Sequence, residues 1–248
     1  YLTDISDYHE MNRVWASYFS GDRPPARAVI GVARLPGTPV VISAVAVAGS
    51  ARARAVRPHG YAPQSAVALA IRAEDRLYIS GLLGRRADTN RLPADSGGQV
   101  KLALDHLRIA FKAARKRAVD LNITTVYITE ALDLAAAEKR LRAELPGGYT
   151  LVRTAALPLS SNIEITAISA PDLRVQSASG VAEEILRGFG SLKRAVVSDA
   201  YVDNGEAFQT VDQACVAGFG PVRPARTTVQ PLAAGAAKTD QIVIVSVK

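Results

Sequence analysis

The chain has 248 residues, 48% hydrophobic and 21% charged, with a formal net charge of +7 at pH 7. This balance excludes wholesale disorder, and no apolar run reaches the ~18 residues of a membrane span. The single cysteine, Cys215, rules out an intramolecular disulfide and fits a reducing cytoplasm, while the scattered arginines read as solvated faces rather than as a nucleic-acid footprint.

In chain order, Tyr1–Asp7 opens as a short strand and a turn, mixed and acidic, unlike a signal peptide. A helix follows. Tyr8, Met11, Trp15 and Phe19 fall on one face, and Asp7 with Glu10 predicts a capping box at its start. After Pro25-Ala26-Arg27 come two β-branched runs, Ala28–Ala33 and Val40–Ala48, which read as a strand pair turned by Leu35-Pro36-Gly37. Val67–Ile71 and Leu77–Ser80 predict a hairpin, and Gly97–Ala118 predicts a helix. Thr125–Thr129 reads as a strand, Leu132–Leu145 as a helix, and Leu151–Leu157 and Ile163–Ala170 as closing strands. Gly180–Leu192 is a shorter helix with no clear hairpin before it.

The last part of the chain repeats the first. Tyr201–Phe208 resembles Tyr1–Tyr8, and a helix carrying Phe208, Val211, Cys215 and Phe219 repeats the earlier stripe. Pro224-Ala225-Arg226 then leads to Thr227–Leu232 and Ile242–Val247, which also read as a strand pair. Phe19 and Phe219 lie 200 residues apart, and Arg27 and Arg226 lie 199 apart, so one loop deletion separates the copies. Tyr127 aligns with Tyr1 and Tyr201. The fold class is therefore mixed α/β (α+β), built on ββαβαββ modules with two helices against one sheet. Residues 1–50 form the second half of a module whose N-terminal part is absent, 57–170 a complete module, and 173–248 a partial one. A natural chain extending before Tyr1 is the expectation for the first. The alanine- and arginine-rich composition hints at a GC-rich bacterial genome.

Asp7–Phe19, Arg23–Val29, Val32–Pro36, Leu77-Tyr-Ile-Ser-Gly81, Val126-Tyr-Ile-Thr129 and Asn162–Ala167 together resemble the Rid/YjgF family of imine and enamine deaminases (RidA-like). The copies cover nearly all of the chain. The resemblance implies chorismate-mutase-like subunits in trimers, with active sites in clefts between neighbours, so linked modules would form a pseudo-trimer.

The resemblance also implies site residues. Arg27 and Arg226 match the family's carboxylate-binding arginine, a role suited to the guanidinium's fork of donors. Tyr149 falls in that slot in the middle copy. Ser80 and Gly81 match a Ser-Gly pair, Gln64 falls at about the position of the family's pocket tyrosine, and Asn12 matches a helix asparagine that Asp212 replaces in the last copy. The family's water-activating glutamate aligns with Ser43, Thr166 and Val245, and Glu164 lies two residues before Thr166 on the same strand face. No copy keeps the glutamate in its aligned slot.

Catalysis is accordingly expected of Arg27, Arg226 and Ser43. Substrate contacts are expected of the two arginines with Asn12, Ser80, Gly81, Tyr149, Thr166 and Glu164. No cofactor or metal is implied, and His9, His59 and His106 lack ligand spacing. Cys215 reads as a core thiol in the slot of Trp15. The expected partner is a small carboxylate-bearing molecule, with self-association or an intramolecular pseudo-trimer. Neither a membrane nor a nucleic acid is favoured as a partner. The leading function is a cytoplasmic hydrolase or tautomerase acting on an imine or enamine, specialised for biosynthesis. A non-catalytic binding scaffold is the alternative, and an RNA-binding ribonuclease comes last.

Overall fold

The computed structural model describes residues 1–19, 24–47, 53–58, 66–117 and 120–248. Helix α1 (Tyr8–Tyr18) follows one turn of 3-10 helix at Ile5–Asp7. The predicted capping box does not form. Asp7 already has helical backbone angles and makes no capping bond, and Glu10 instead pairs with Arg13 on the exposed face. Asp4 caps the 3-10 turn, accepting from the Ser6 amide at 2.8 Å.

The middle of the chain carries β1 (Ala53–Val56), β2 (Ala70–Ala73), β3 (Arg76–Leu83), α2 (Ser96–Ala114), β4 (Ile123–Ile128), α3 (Leu134–Glu144), β5 (Thr150–Arg153) and β6 (Ile163–Ser169). These strands form one six-stranded sheet in the order β1-β2-β3-β6-β4-β5. Strand β1 lies before residue 57, where the module was expected to begin. Glu74, at φ 54°, turns β2 into β3. Asp95 caps α2 by accepting from the Gly98 amide at 2.7 Å. The helix stops at Ala114, before the predicted Ala118, because Arg115 swings into the left-handed region and its own amide and the next close the last turn. Val100, Ala103, Leu107 and Ala110 press one face of α2 onto Leu77, Ile163 and Ile165 of the sheet.

The last part holds β7 (Leu173–Gly180), α4 (Ala182–Gly188), β8 (Ala195–Tyr201), α5 (Phe208–Phe219), β9 (Ala225–Val229) and β10 (Asp240–Val247), with a four-stranded sheet in the order β7-β10-β8-β9. The opening strand β7, paired with β10 along its whole length, is legible only in the structure. Its Arg174, Gln176, Ser177 and Ser179 dilute the apolar signal. The expected pairing of Thr227–Leu232 with Ile242–Val247 is replaced by another. The β8-α5-β9 crossover sets β9 parallel to β8, and β10 takes the other edge of β8 antiparallel.

Residues 28–33 and 40–47 of the first copy form no extended strand. They keep the same order as bridges: Leu2 stands between Gly31, parallel, and Val40, antiparallel. Thus 28–33 and 40–47 flank the opening segment rather than pairing with each other.

The three copies meet around one core. Ile30, Val32 and Leu35 of the first pack with Tyr127, Val152 and Leu157 of the middle and with Tyr201, Val229 and Val243 of the last. Backbone bonds tie the segments together. Gly31 and Ala156 exchange amide bonds at 2.9 and 3.3 Å, Arg34 and Gln230 at 3.1 and 3.0 Å, and Ala155 donates to Pro231 at 2.8 Å. A β-carbon at Gly31 would lie 2.9 Å from the Ala156 carbonyl oxygen, so only glycine permits this approach. The hydroxyls of the equivalent tyrosines are joined, Tyr1 to Tyr127 at 3.4 Å and Tyr127 to Tyr201 at 3.1 Å.

Candidate functional site

The seam between the first and middle copies gathers most of the sequence-predicted site residues. The segment after Pro25 runs beside the second half of β3. Ala68 donates to the Pro25 carbonyl, the Arg27 amide donates to Ser80 Oγ at 2.9 Å, and Gly81 donates to the Arg27 carbonyl at 3.0 Å. Ser80 Oγ in turn donates to the Ala68 carbonyl at 2.5 Å. Ser80 and Gly81 therefore hold the arginine's backbone from the neighbouring copy.

The Arg27 side chain lies on α1. Its guanidinium donates to Asn12 Oδ1 at 2.5 Å and approaches Met11 Sδ at 3.4 Å. The guanidinium carbon stands 4.8 Å from the centre of the Trp15 ring, a cation–π geometry. The Trp15 indole is itself pinned by donating to the Ala66 carbonyl at 3.0 Å. Burial pulls the Arg27 pKa below its usual value, opposed by Tyr8 and Glu164. An arginine remains charged there all the same.

Facing this seam is Glu164. Ile163 and Ile165 point into the helix-covered core, so alternation turns Glu164 to the opposite face of the sheet, toward the first copy. Its Oε1 accepts from the Val29 amide at 3.3 Å, while its buried Oε2 has no hydrogen-bond partner among the described residues. A β-carbon at Gly81 would overlap Oε1, so the glycine opens the space the carboxyl occupies. Burial raises the pKa of Glu164 to about 8, against the lowering effects of the Val29 amide and Arg27. The group is thus largely protonated at neutral pH, beside a fixed cation.

Glu164, not Thr166, is the side chain that the strand register sets against the Arg27 segment. The Thr166 hydroxyl is directed to the Thr125 carbonyl at 3.5 Å. The signal was in the sequence, because Glu164 is the only acidic residue in a strand of otherwise apolar and hydroxyl side chains. Ser43 lies in an exposed stretch, and Tyr149 packs against the middle core, away from Arg27. Gln64, Tyr61 and His59 lie outside the described residues.

The last copy repeats the arginine with different surroundings. Arg226 forms an ion pair with Asp212, the counterpart of Asn12, and a hydrogen bond links it to Cys215, the counterpart of Trp15. These residues line a small hollow of about 170 Å³ with Phe219, Arg223 and Pro224. Burial raises the Cys215 thiol pKa, against the effect of Arg226.

Arg27 and the buried Glu164 carboxyl thus face one seam of a mixed α+β protein. The chain belongs to the Endoribonuclease L-PSP family, the Rid/YjgF proteins, whose family model it matches over residues 1–48 and 58–171. It is 48% identical over 48 residues to protein DfrA of Myxococcus xanthus, a stretch that is 19% of this chain and 36% of that relative's length. The Rid-family protein YyfA of Yersinia pestis aligns with 48% of this chain and 98% of its own at 20% identity, with a TM-score of 0.44. RidA of the Antarctic bacterium Psychrobacter sp. PAMC 21119 aligns with 44% of this chain and 90% of its own at 26% identity, with a TM-score of 0.41. No helix among the described residues is long and apolar enough to cross a membrane.

Proposed function

We propose that the seam between the first and middle copies hydrolyses a small carboxylate-bearing imine or enamine. The observation that carries this reading is the buried, half-satisfied Glu164 carboxyl beside the Arg27 segment. A carboxyl kept protonated at neutral pH suits proton donation to a basic nitrogen, and its pKa of about 8 also lets it take a proton back. Family membership supports the same chemistry.

In this reading Arg27 binds the substrate carboxylate. Asn12 and Trp15 hold the guanidinium, and Ser80 and Gly81 fix its backbone. The imine nitrogen takes the Glu164 proton. Water adds to the imine carbon, and the Glu164 carboxylate takes one proton from that water. The resulting carbinolamine passes its hydroxyl proton to nitrogen, the C–N bond breaks, and ammonia leaves with a 2-oxo acid as the other product. Ser43 has no part, because the carboxyl supplies the base. The pseudo-trimer is intramolecular, and one chain suffices for this site.

The test is imine hydrolysis. An amino-acid oxidase generates 2-imino acids in situ, and semicarbazide captures what remains. Faster loss of imine with the protein, absent in Arg27→Ala, is expected. No acceleration on any 2-imino acid would remove this reading and favour a binding scaffold.

A further inference from the structure

The two copies that keep the arginine differ at the residue that receives its charge. Arg27 donates to neutral Asn12 at 2.5 Å and lies over Trp15, so no anionic side chain of α1 holds its positive charge. Arg226 is held by the carboxylate of Asp212 and by Cys215. The hydrogen bond to Asp212 is the largest effect opposing burial, and the Arg226 pKa rises as a result. An intramolecular carboxylate is present at far higher effective concentration than a dissolved ligand, and it takes up one donor of the same guanidinium and offsets its charge.

We infer that Asp212 silences the Arg226 hollow toward carboxylates, and that Asn12 against Asp212 decides which arginine of this chain takes an anionic ligand. The inference rests on the reading of Arg27 as a carboxylate anchor. Asn12 is a positioning residue: it orients the guanidinium without cancelling its charge. Asp212 acts as a built-in competitor. Its side chain is 52% exposed and that of Arg226 27% exposed, so the pair sits at the mouth of the hollow rather than in a core. Replacement by asparagine keeps shape and hydrogen bonding and removes only the charge. The fold is therefore expected to survive the change.

The experiment titrates the full chain with 2-oxobutyrate by calorimetry, with chemical-shift mapping to locate each site. The wild type should bind one equivalent, lost in Arg27→Ala. Asp212→Asn should bind a second equivalent, and Arg226→Ala in that background should remove it. Asn12→Asp should weaken the first site by ~10-fold or more, the size of a lost charge-assisted contact. A wild type that binds one equivalent through Arg27, with Asp212→Asn still binding one, overturns the inference and leaves the Arg27 reading intact. Two equivalents in the wild type, one of them removed by Arg226→Ala, also overturn it. No wild-type binding but a new Arg226-dependent site in Asp212→Asn would sustain the role of Asp212 and remove the reading of Arg27. Absence of binding in every variant would remove both.

Discussion

The Val29 amide donates to Glu164 Oε1 at 3.3 Å, across 135 residues of sequence and across the boundary between two copies of one unit. That bond places a carboxyl of the middle copy two residues from Arg27 of the first. Neither copy alone contains both groups, so the proposed site needs the seam rather than either module.

Arg27→Ala should lower kcat/KM for a carboxylate-bearing imine by ~10- to 150-fold, the equivalent of ~1.5–3 kcal/mol for hydrogen bonds to a charged group. Steady-state kinetics would show most of the loss in KM if the arginine binds ground and transition states alike. Arg226→Ala should leave the same parameters unchanged, because Asp212 already holds that cation.

Glu164 also predicts a pH signature in stability. Its pKa rises from 4.5 to about 8 on folding. Between those values the folded state binds a proton that the unfolded state has released. The contribution is fully present below about pH 4.5, falls as pH rises at up to ~1.4 kcal/mol per unit, and is gone above about pH 8. Denaturation of Glu164→Gln should lack this slope. Matching slopes in wild type and variant would show that the carboxyl titrates normally.

Gly81→Ala should be far more damaging than Ser80→Ala. The added methyl overlaps Glu164 Oε1 and the strand is packed on both sides, so a loss of ~1–3 kcal/mol is expected together with loss of activity. Ser80→Ala removes the acceptor for the Arg27 amide, and a loss of ~1 kcal/mol follows. Thermal melts of the two variants compare them directly.

Tyr127→Phe tests the union of the three copies. The Tyr127 hydroxyl joins those of Tyr1 and Tyr201, and burial pushes its pKa up to about 12. Losing it strips two buried hydroxyls of a partner, at ~1–3 kcal/mol. Urea unfolding should remain a single transition with a lower midpoint. A midpoint equal to that of the wild type would mean the tyrosine hydroxyls add nothing to the apolar and backbone contacts that hold the segments together.

Much of this was legible in the sequence, because it follows local rules. The stripes Tyr8–Phe19 and Phe208–Phe219 became α1 and α5, and Ala103, Leu107 and Ala110 gave α2 its buried face. Arg27, Asn12, Ser80 and Gly81 were named from motif and repeat, and the structure places them in one seam. What sequence spacing left open was lateral. Which strand stands beside β8 depends on crossover handedness, so β9 and β10 read as a pair although β8 separates them. Glu164 was named only as a substrate contact, with Thr166 in the aligned slot, because a shift of two residues preserves strand face. Thr166 fits the same alternation, and only the approach of Val29 distinguishes the two. Polar β7 was missed because its register is fixed by β10 rather than by its own apolar residues.

The decisive measurement is the kcat and KM of imine hydrolysis for wild type, Glu164→Gln and Thr166→Val across pH 6 to 9. Loss of general acid–base catalysis predicts a fall in kcat of ~10²- to 10⁴-fold for Glu164→Gln with KM nearly unchanged. Thr166→Val should behave as wild type, and wild-type kcat should decline above an apparent pKa near the value of about 8 set by burial of Glu164. Full activity in Glu164→Gln, or its loss in Thr166→Val alone, would contradict a site built from Arg27 of one copy and Glu164 of the next.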